Sequence, residues 1–350
     1  GSVTNGNNAN YDITFSNGTL TINKATLTVT ADNQTRVYGD ANPTFSQTIT
    51  GFVNGQNLGS SGVTGSSVGS VSATSTSAVN TYVITANATG YSSANYNFTT
   101  VNGLLTVTQR PITITADANQ TKVYGNPDAA FTYALEANTA GRGLVGSDTF
   151  SGALARVAGE NVGTYAINRG TLANGNYVIT YVGNNYNITQ RPITITAANL
   201  STSDLTKVYD GNTSITGFNV NNANTGVIAN DRVVLSSVGT YTDADVGTGK
   251  TVSLNFSLSG ADAANYSLTT TQLNASSGVI TQLPSVTWVG GNQTNNWSNA
   301  ANWMNGAIPL RGNVAQINIP AGANVVYDAA SVGQLASSST IVNNGVITFN

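Results

Sequence analysis

A nine-residue phrase occurs twice without change in this chain, and it constrains the fold more than any other feature. Residues 108–116 and 189–197 both read TQRPITITA, 81 residues apart, and weaker copies occupy residues 22–31 and 280–287. Self-similarity of this kind is the signature of a chain built from repeated structural units. The four junctions predict a tail of a preceding module at residues 1–24, modules at 25–108, 109–190 and 191–281, and a different segment at 282–350.

Two further markers, a Tyr-Gly turn and an Asn-Tyr pair, keep the same order inside every unit. The turns lie at residues 38–39, 124–125 and 209–211, the last with an inserted Asp, and the pairs lie at residues 95–96, 176–177 and 265–266. A further pair at residues 10–11 stands in the same place before the first junction. This is why residues 1–24 are interpreted as the end of a module.

The composition favours β-structure throughout the chain. Val, Ile, Thr and Tyr suit a half-buried pleated surface, 37 glycines supply turns, and good helix formers other than Ala are scarce. Alternation of apolar and polar residues in the second unit predicts strands near residues 111–116, 121–124, 131–137, 148–156, 163–168, 176–182 and 185–189. We therefore predict an all-β protein of small β-sandwich modules, immunoglobulin-like or β-grasp-like, in an elongated array.

The junctions contain no Gly/Ser spacer. The last strand of one unit runs through Thr-Gln-Arg-Pro directly into the first strand of the next, and Pro111 and Pro192 fix the backbone at the crossing. Short, stiff linkers restrict hinge motion between units.

The segment at residues 282–350 departs from the repeat. It contains the only tryptophans, Trp288, Trp297 and Trp303, and then short apolar runs separated by Asn and Gly corners. This pattern predicts the first rungs of a β-solenoid-like segment.

Charge and composition exclude several classes of function. The net charge of −3 is spread without runs, so the basic surface that nucleic acid requires is missing, and the apolar stretches are too short to span a membrane as a helix. The absence of His and Cys removes the usual near-neutral acid/base and the commonest transition-metal ligands. A cysteine-free chain also suits export in an unfolded state. We expect a non-enzymatic, extracellular protein that inserts into no membrane.

Several of these residues resemble a known family. Residues 122–125 (KVYG), residues 207–213 (KVYDGNT) and the Gln-Arg-Pro junctions are similar to the tandem MBG and YDG modules of filamentous-haemagglutinin-like bacterial adhesins, which are exported by two-partner secretion or related routes. The resemblance covers about residues 25–281, with two Tyr-Gly units followed by a Tyr-Asp-Gly unit. It implies surface display and a part in adhesion or biofilm formation, and it brings no catalytic motif.

Five aromatic residues are candidates for stacking against a sugar. Tyr38, Tyr124 and Tyr209 could form a repeated platform, although an aromatic residue beside a Gly turn more often caps the end of a sandwich. Trp297 and Trp303 could grip a glycan or could seal the open end of a solenoid. The sequence leaves both interpretations open.

Acidic residues offer few sites. Asp243 and Asp245, with Asp231 or Asp262, are candidates for a calcium site, or else solvated loop acids. The only glutamates, Glu136 and Glu160, are the sole candidates for a glutamate pair of a glycosidase, and neighbouring units lack Glu. No other cofactor is expected.

Two functions from different classes remain. The repetition favours a monomeric, non-catalytic stalk of a secreted surface adhesin, with host-cell or biofilm glycans or surface proteins as partners, reached in part through other regions of a longer chain. The alternative is a set of carbohydrate-binding modules with one glycan site in each repeat.

Overall fold

The computed structural model describes residue 14 and residues 16–290 and 294–350. The Asn-Tyr pair at residues 10–11 and much of the tail predicted at residues 1–24 lie outside the described residues. The all-β prediction is confirmed: the helical elements described are four three-residue 3₁₀ turns at Ala197–Asn199, Ala263–Asn265, Ala300–Asn302 and Met304–Gly306. Within the described residues, no helix has the length and apolar character needed to cross a bilayer.

The first repeat is built on two chain segments that run side by side in the same direction. Its strands are β1 (Ala25–Ala31), β2 (Gln34–Val37), β3 (Gln47–Thr50), β4 (Thr64–Gly65), β5 (Asn80–Ile84), β6 (Tyr91–Ser92), β7 (Tyr96–Val101) and β8 (Gly103–Thr108). Strand β1 pairs in parallel with β7, and β2 continues the same pairing with β8. Antiparallel strands complete two sheets, β3-β1-β7 and β2-β8-β5. The sheets are therefore mixed, whereas those of an immunoglobulin sandwich are antiparallel.

The second repeat follows the same plan. Its strands are β9 (Arg110–Ala116), β10 (Gln120–Val123), β11 (Tyr133–Leu135), β12 (Ala155–Arg156), β13 (Gly163–Asn168), β14 (Tyr177–Val182) and β15 (Asn185–Thr189). Strand β9 pairs in parallel with β14, and β10 pairs in parallel with β15, within the sheets β11-β9-β14 and β10-β15-β13-β12. All seven strands predicted from alternation have a counterpart.

The third repeat has one larger sheet. Its strands are β16 (Arg191–Ile193), β17 (Thr206–Val208), β18 (Ser214–Asn219), β19 (Val234–Tyr241), β20 (Gly247–Ser259), β21 (Tyr266–Leu268) and β22 (Gln272–Thr281). The parallel pairs recur as β16 with β21 and β17 with β22. The five-stranded sheet has the order β17-β22-β20-β19-β18.

The last segment consists of parallel rungs. Strands β23 (Leu283–Thr287), β24 (Val314–Ile319) and β26 (Thr340–Asn343) form one parallel sheet, and β25 (Asn324–Tyr327) and β27 (Val346–Phe349) form a second. Successive parallel strands with buried apolar residues, such as Val314, Ile317 and Ile319, are the pattern of a β-solenoid.

The described residues divide into two compact units, with the division inside the second repeat. The first unit comprises the described part of Gly1–Asp117 together with Phe131–Ala155 and Ile167–Asn184, and the second comprises Ala118–Ala130, Arg156–Ala166 and Asn185–Asn350. Leu27, Val29, Leu105, Ile112 and Ile114 are among the buried core residues of the first unit. The core of the second unit runs without a break from Ile193 on β16 to the tryptophans.

Candidate functional site at the repeat junctions

Each junction brings the Tyr-Gly turn of one repeat, here called the donor turn, onto a loop of the next repeat, here called the acceptor loop. At junction 1 the Tyr38 hydroxyl donates to Asp148 Oδ2 at 2.9 Å, and the Tyr177 hydroxyl donates to the same oxygen at 2.6 Å. The two rings pack edge to face with centroids 5.6 Å apart. The Val145 amide donates to the Tyr177 oxygen at 3.0 Å. One carboxylate therefore joins two tyrosines that come from successive repeats.

Junction 2 repeats this cluster in the second unit. The Tyr124 and Tyr266 hydroxyls donate to Asp231 Oδ2 at 3.0 and 2.5 Å, and the rings pack edge to face at 5.4 Å. The Ile228 amide donates to the Tyr266 oxygen at 3.0 Å. The Asn-Tyr pair and the Tyr-Gly turn, separate markers in the sequence, thus meet at one site.

The glycine of the donor turn is required by the fit. Gly39 has φ +85°, and a Cβ added there would stand 2.3 Å from Val145 Cγ2. Gly125 has φ +79°, and its added Cβ would stand 2.0 Å from Ile228 Cδ1. Left-handed backbone and close approach both favour glycine. The branched side chain of the acceptor loop therefore packs directly against the glycine of the donor turn.

The arginine of the Gln-Arg-Pro phrase clamps the donor turn. Arg110 is 1% exposed; its Nη1 donates to Tyr38 O at 2.9 Å and pairs with Asp40 Oδ1 at 2.7 Å. Its Nε donates to Gly143 O of the acceptor loop at 2.9 Å. At junction 2, Arg191 bonds Tyr124 O at 3.3 Å and Gly226 O at 2.8 Å. The guanidinium, with donors in a fixed fork, bridges both sides of junctions 1 and 2.

An asparagine side chain makes a contact that is the same at all three junctions. Val79 N donates to Asn176 Oδ1 at 3.1 Å, Val162 N donates to Asn265 Oδ1 at 2.8 Å, and Val246 N donates to Asn313 Oδ1 at 2.8 Å. Asn313 precedes β24 and belongs to no Asn-Tyr pair. The contact is therefore kept where the sequence marker is lost.

Junction 3 otherwise has a different chemistry. The Tyr209 hydroxyl donates to the backbone oxygen of Ile308 at 2.7 Å, in place of a carboxylate. Leu283 occupies the position of the clamping arginine in the weaker copy of the phrase. Ion pairing moves to Asp245, which accepts from Arg311 at 2.7 Å and from Asn313 at 2.9 Å.

Burial of the tyrosines changes their titration. Burial, reinforced by the hydrogen bond to Asp231, raises the pKa of Tyr266 to about 12. Burial and the Asp148 carboxylate likewise raise the pKa of Tyr38 and of Tyr177. The neutral phenol is therefore the form that each junction holds at physiological pH.

Four of the five aromatic residues considered for sugar stacking are buried. Tyr38 is 3% exposed, Tyr209 is also buried, and Tyr124 is half-buried against Tyr266. Trp297 and Trp303 are buried and pack edge to face at 4.7 Å, with Trp288 and Tyr327 completing the cluster. Glycan stacking at these rings stays a prediction, and it would require the clusters to open.

The acids considered for calcium do not converge. Asp243 pairs with Lys250, Asp245 with Arg311, and Asp231 with two tyrosines, while Asp262 accepts from the Arg232 amide. Across the described residues, no group of three or more His, Cys, Asp or Glu is placed to hold a metal.

Both glutamates form ion pairs. Glu136 pairs with Arg142, whereas Glu160 pairs with Lys122 at 2.5 Å and with Arg156 at 2.6 Å. Asp128 also pairs with Lys122 and Arg156, which makes a closed charge cluster around a buried lysine. Each glutamate is thus bound to basic side chains of its own repeat.

Sequence reasoning missed the two shared carboxylates. Asp148 and Asp231 each lie five residues after a glycine that is itself followed by two apolar residues, in GLVGSD and GVIAND. That spacing was a usable signal, but isolated acids in loops are ordinarily solvated. The corresponding phrase of the first repeat, GFVNGQ at residues 51–56, ends in Gln56.

These features define a tandem β-repeat protein whose successive modules share residues at their junctions. Residues 27–106 and 112–191 match the MBG domain (YGX type), and residues 189–273 match the YDG domain. The chain therefore contains two MBG domains of YGX type followed by one YDG domain, which confirms the resemblance of these modules to MBG and YDG repeats. No curated protein matches the chain.

Proposed function

We propose that this chain is a non-catalytic repeat region of a large secreted bacterial surface adhesin, where it acts as an extended stalk and as an interaction surface. The observation that carries the proposal is the junction itself. At junction 1 the donor turn, the clamping Arg110 and the shared Asp148 join two repeats without a spacer. A stalk that holds a binding region away from the cell surface needs rigid joints of this kind.

The energetics of the junction support a mechanical role. Bending between two repeats would separate Tyr38 from Asp148 and expose the Arg110 guanidinium, which makes hydrogen bonds to both repeats. Each hydrogen bond to a charged group that is lost in this way contributes about 1.5–3 kcal/mol. Each junction of this type therefore resists hinge motion far more than a flexible linker does.

The pairing of the acids supports a non-catalytic role. Glu136, Glu160, Asp148 and Asp231 each accept hydrogen bonds from arginine, lysine or tyrosine side chains. Their arginine and lysine partners lower the pKa of Glu136 and Glu160, whereas a general acid or base works best with a pKa near the ambient pH. These carboxylates serve the fold.

The family and the composition support surface display as part of this proposal. MBG and YDG repeats, a chain without cysteine and a near absence of lysine clusters suit a secreted protein that meets host-cell or biofilm glycans or surface proteins outside the cell. In this proposal the chain is a monomer, and other regions of a longer parent chain contribute to adhesion.

Small-angle scattering of the whole chain tests the stalk. A compact globule of 350 residues has a radius of gyration of about 20 Å, and the proposal expects a clearly larger value with an elongated pair-distance distribution. The matched variant Asp148→Ala, which opens junction 1, should broaden that distribution. A value near that of the globule contradicts the stalk.

Binding separates a stalk from a carbohydrate-binding module. The chain is applied to a glycan array and to cultured cells, with calcium and with chelator. Saturable binding to one glycan class, lost on substitution of aromatic residues in each repeat, would replace the stalk by the carbohydrate-binding function.

A further inference from the structure

The first repeat carries an acceptor loop of the same construction as those at junctions 1 and 2. The Val53 amide donates to the Tyr96 oxygen at 3.3 Å, as Val145 and Ile228 do to their tyrosines. The Tyr96 hydroxyl donates to Gln56 Oε1 at 2.5 Å, where the other loops have a carboxylate. The backbone amide of Gln56 donates to Val53 O at 3.1 Å and closes the loop, as the backbone amide of Asp148 does with Val145 O.

The surface of this loop is concave and partly apolar. Val53, Gln56, Tyr96 and Ala25 line a cavity of about 320 Å³. Val53 is 44% exposed and Ile22 at the same cavity is 85% exposed, whereas Val145 is covered by Gly39 at junction 1. A cavity of about 150 Å³ already accommodates benzene, so the space is sufficient for an aromatic side chain.

We propose that this face of the first repeat is a docking site for the Tyr-Gly turn of another MBG-type repeat joined in line before Lys24. The proposal does not depend on the adhesin role, because it uses only the geometry that repeats share. The occupant's tyrosine hydroxyl would bond the Gln56 amide group beside Tyr96. The occupant's glycine would cover Val53, as Gly39 covers Val145 and Gly125 covers Ile228.

Two differences from junctions 1 and 2 are compatible with docking. Gln56 keeps a carbonyl oxygen able to accept a second hydrogen bond, and its amide group adds a donor. Ala25 pairs with Tyr96 in the register where Arg110 pairs with Tyr177, so the clamping arginine is missing. Junction 3 shows that a donor turn docks without it, because Leu283 stands there and Tyr209 is still seated on a backbone oxygen.

The alternative occupant, a second copy of this chain, is less suited. The three donor turns of the chain are already seated: Tyr38 on Asp148, Tyr124 on Asp231 and Tyr209 on Ile308. A second copy would have to open one of its own junctions to supply a turn. An in-line repeat supplies one at no such cost.

Disulfide trapping tests the site cleanly because the chain contains no cysteine. In the test chain, residues 24–108 occur twice in tandem, so that the first copy presents its Tyr38 turn to the acceptor loop of the second. Gly39→Cys is placed in the first copy and Val53→Cys in the second. The positive control is Gly39→Cys with Val145→Cys in the unduplicated chain, where an added Cβ at residue 39 lies 2.3 Å from Val145 Cγ2. The negative control pairs Gly39→Cys with Val83→Cys, since Val83 is an exposed valine on β5.

Three outcomes are distinguishable. Loss of nearly all free thiol with a faster-migrating monomer, matching the positive control, supports in-line docking. Free thiols that persist while the positive control closes overturn it. Disulfide-linked dimers would show capture of a turn from a second molecule and would also overturn the in-line assignment.

A second measurement avoids cysteine at the turn. In the duplicated chain without cysteine, Val53→Ile in the second copy marks its peptides by mass. Hydrogen exchange of residues 51–57 in the marked copy should slow by about fivefold relative to the same marked peptide when the first copy carries Tyr38→Ala, because the docked hydroxyl adds about one net hydrogen bond. Equal exchange in the two chains overturns the docking site.

Discussion

Junctions 1 and 3 make the same kind of connection, junction 1 through charged groups and junction 3 through neutral groups. At junction 1 a buried guanidinium and a carboxylate shared by two tyrosines hold the donor turn, whereas at junction 3 a neutral backbone oxygen and Leu283 replace both. Two features are unchanged: the glycine at positive φ and the asparagine that accepts from a backbone amide. The comparison indicates that shape and backbone bonding define the joint, while charge is an addition that the MBG repeats use.

The largest expected loss of junction stability comes from replacing the clamping arginine of junction 1 by the leucine that junction 3 has at this position. Arg110→Leu leaves Asp40 and the oxygens of Tyr38 and Gly143 without their buried donor, so the opening free energy of the junction should fall by about 3–5 kcal/mol. Native-state hydrogen exchange of peptides spanning residues 36–42 measures it.

The control for this variant is Arg142→Leu, which removes an exposed ion pair with Glu136 and should cost about 1 kcal/mol or less. Equal costs for the two variants would show that the clamp contributes nothing beyond a surface salt bridge.

The next largest loss of junction stability is expected when the glycine of the donor turn, which the junctions share, is replaced. Gly39→Ala combines left-handed strain with a clash on Val145 and should destabilise junction 1 by about 2–4 kcal/mol. Gly55→Ala, also at positive φ but with no atom within 4 Å of the added Cβ, should cost only the strain of about 1–2 kcal/mol. Hydrogen exchange of residues 36–42 measures the first variant and that of residues 51–57 the second, and a cost for Gly39→Ala no greater than for Gly55→Ala would remove the fit as the reason for glycine.

Alkaline pH should weaken junction 2 through the titration of Tyr266. Because the pKa of Tyr266 is raised to about 12 in the folded chain, the unfolded chain loses this proton first, near pH 10. The stabilisation is therefore complete below pH 10 and declines as pH rises from 10 to 12, by up to about 1.4 kcal/mol per pH unit.

Urea unfolding of the second unit, followed by tryptophan fluorescence at several pH values, measures this decline. Tyr266→Phe has no phenol to titrate and should show a smaller slope between pH 10 and 12. If the variant and the parent chain decline equally, other groups control alkaline unfolding.

The smallest effect is expected at the neutral joint. Tyr209→Phe removes one hydrogen bond to the Ile308 oxygen and should cost about 1 kcal/mol. Tyr124→Phe removes a bond to the Asp231 carboxylate and should cost about 1.5–3 kcal/mol. Tryptophan-monitored unfolding reports on both, and a reversed order would mean that the shared carboxylate is not the stronger acceptor.

The strands were predictable because their alternation is local. Ile112 and Ile114 face the core and the threonines between them lie nearer the surface, as the phrase TQRPITITA indicates. The parallel pairing of β9 with β14 was not predictable, since nothing in the spacing of two strands more than sixty residues apart fixes their direction. Alternation is the same in parallel and antiparallel partners when one face is buried.

The site was predicted in part. The Tyr-Gly turn, the Asn-Tyr pair and the Gln-Arg-Pro phrase were recognised as repeated markers, but as separate ones. Their meeting at Asp148 and Asp231 depends on loops whose position only packing decides. The sequence left open whether the tyrosines form surface platforms or cap a sandwich, because an aromatic residue beside a glycine turn carries no sign of what lies over it.

The sequence by itself determined the repetition, the all-β class and the family, because each rests on local patterns of a few residues. The tertiary structure alone decided that Tyr38 and Tyr177, 139 residues apart along the chain, share one carboxylate. It also decided that a glycine turn and a branched side chain fit each other. Such contacts between distant residues depend on how whole sheets pack, and packing is a property of the folded chain that no local pattern encodes.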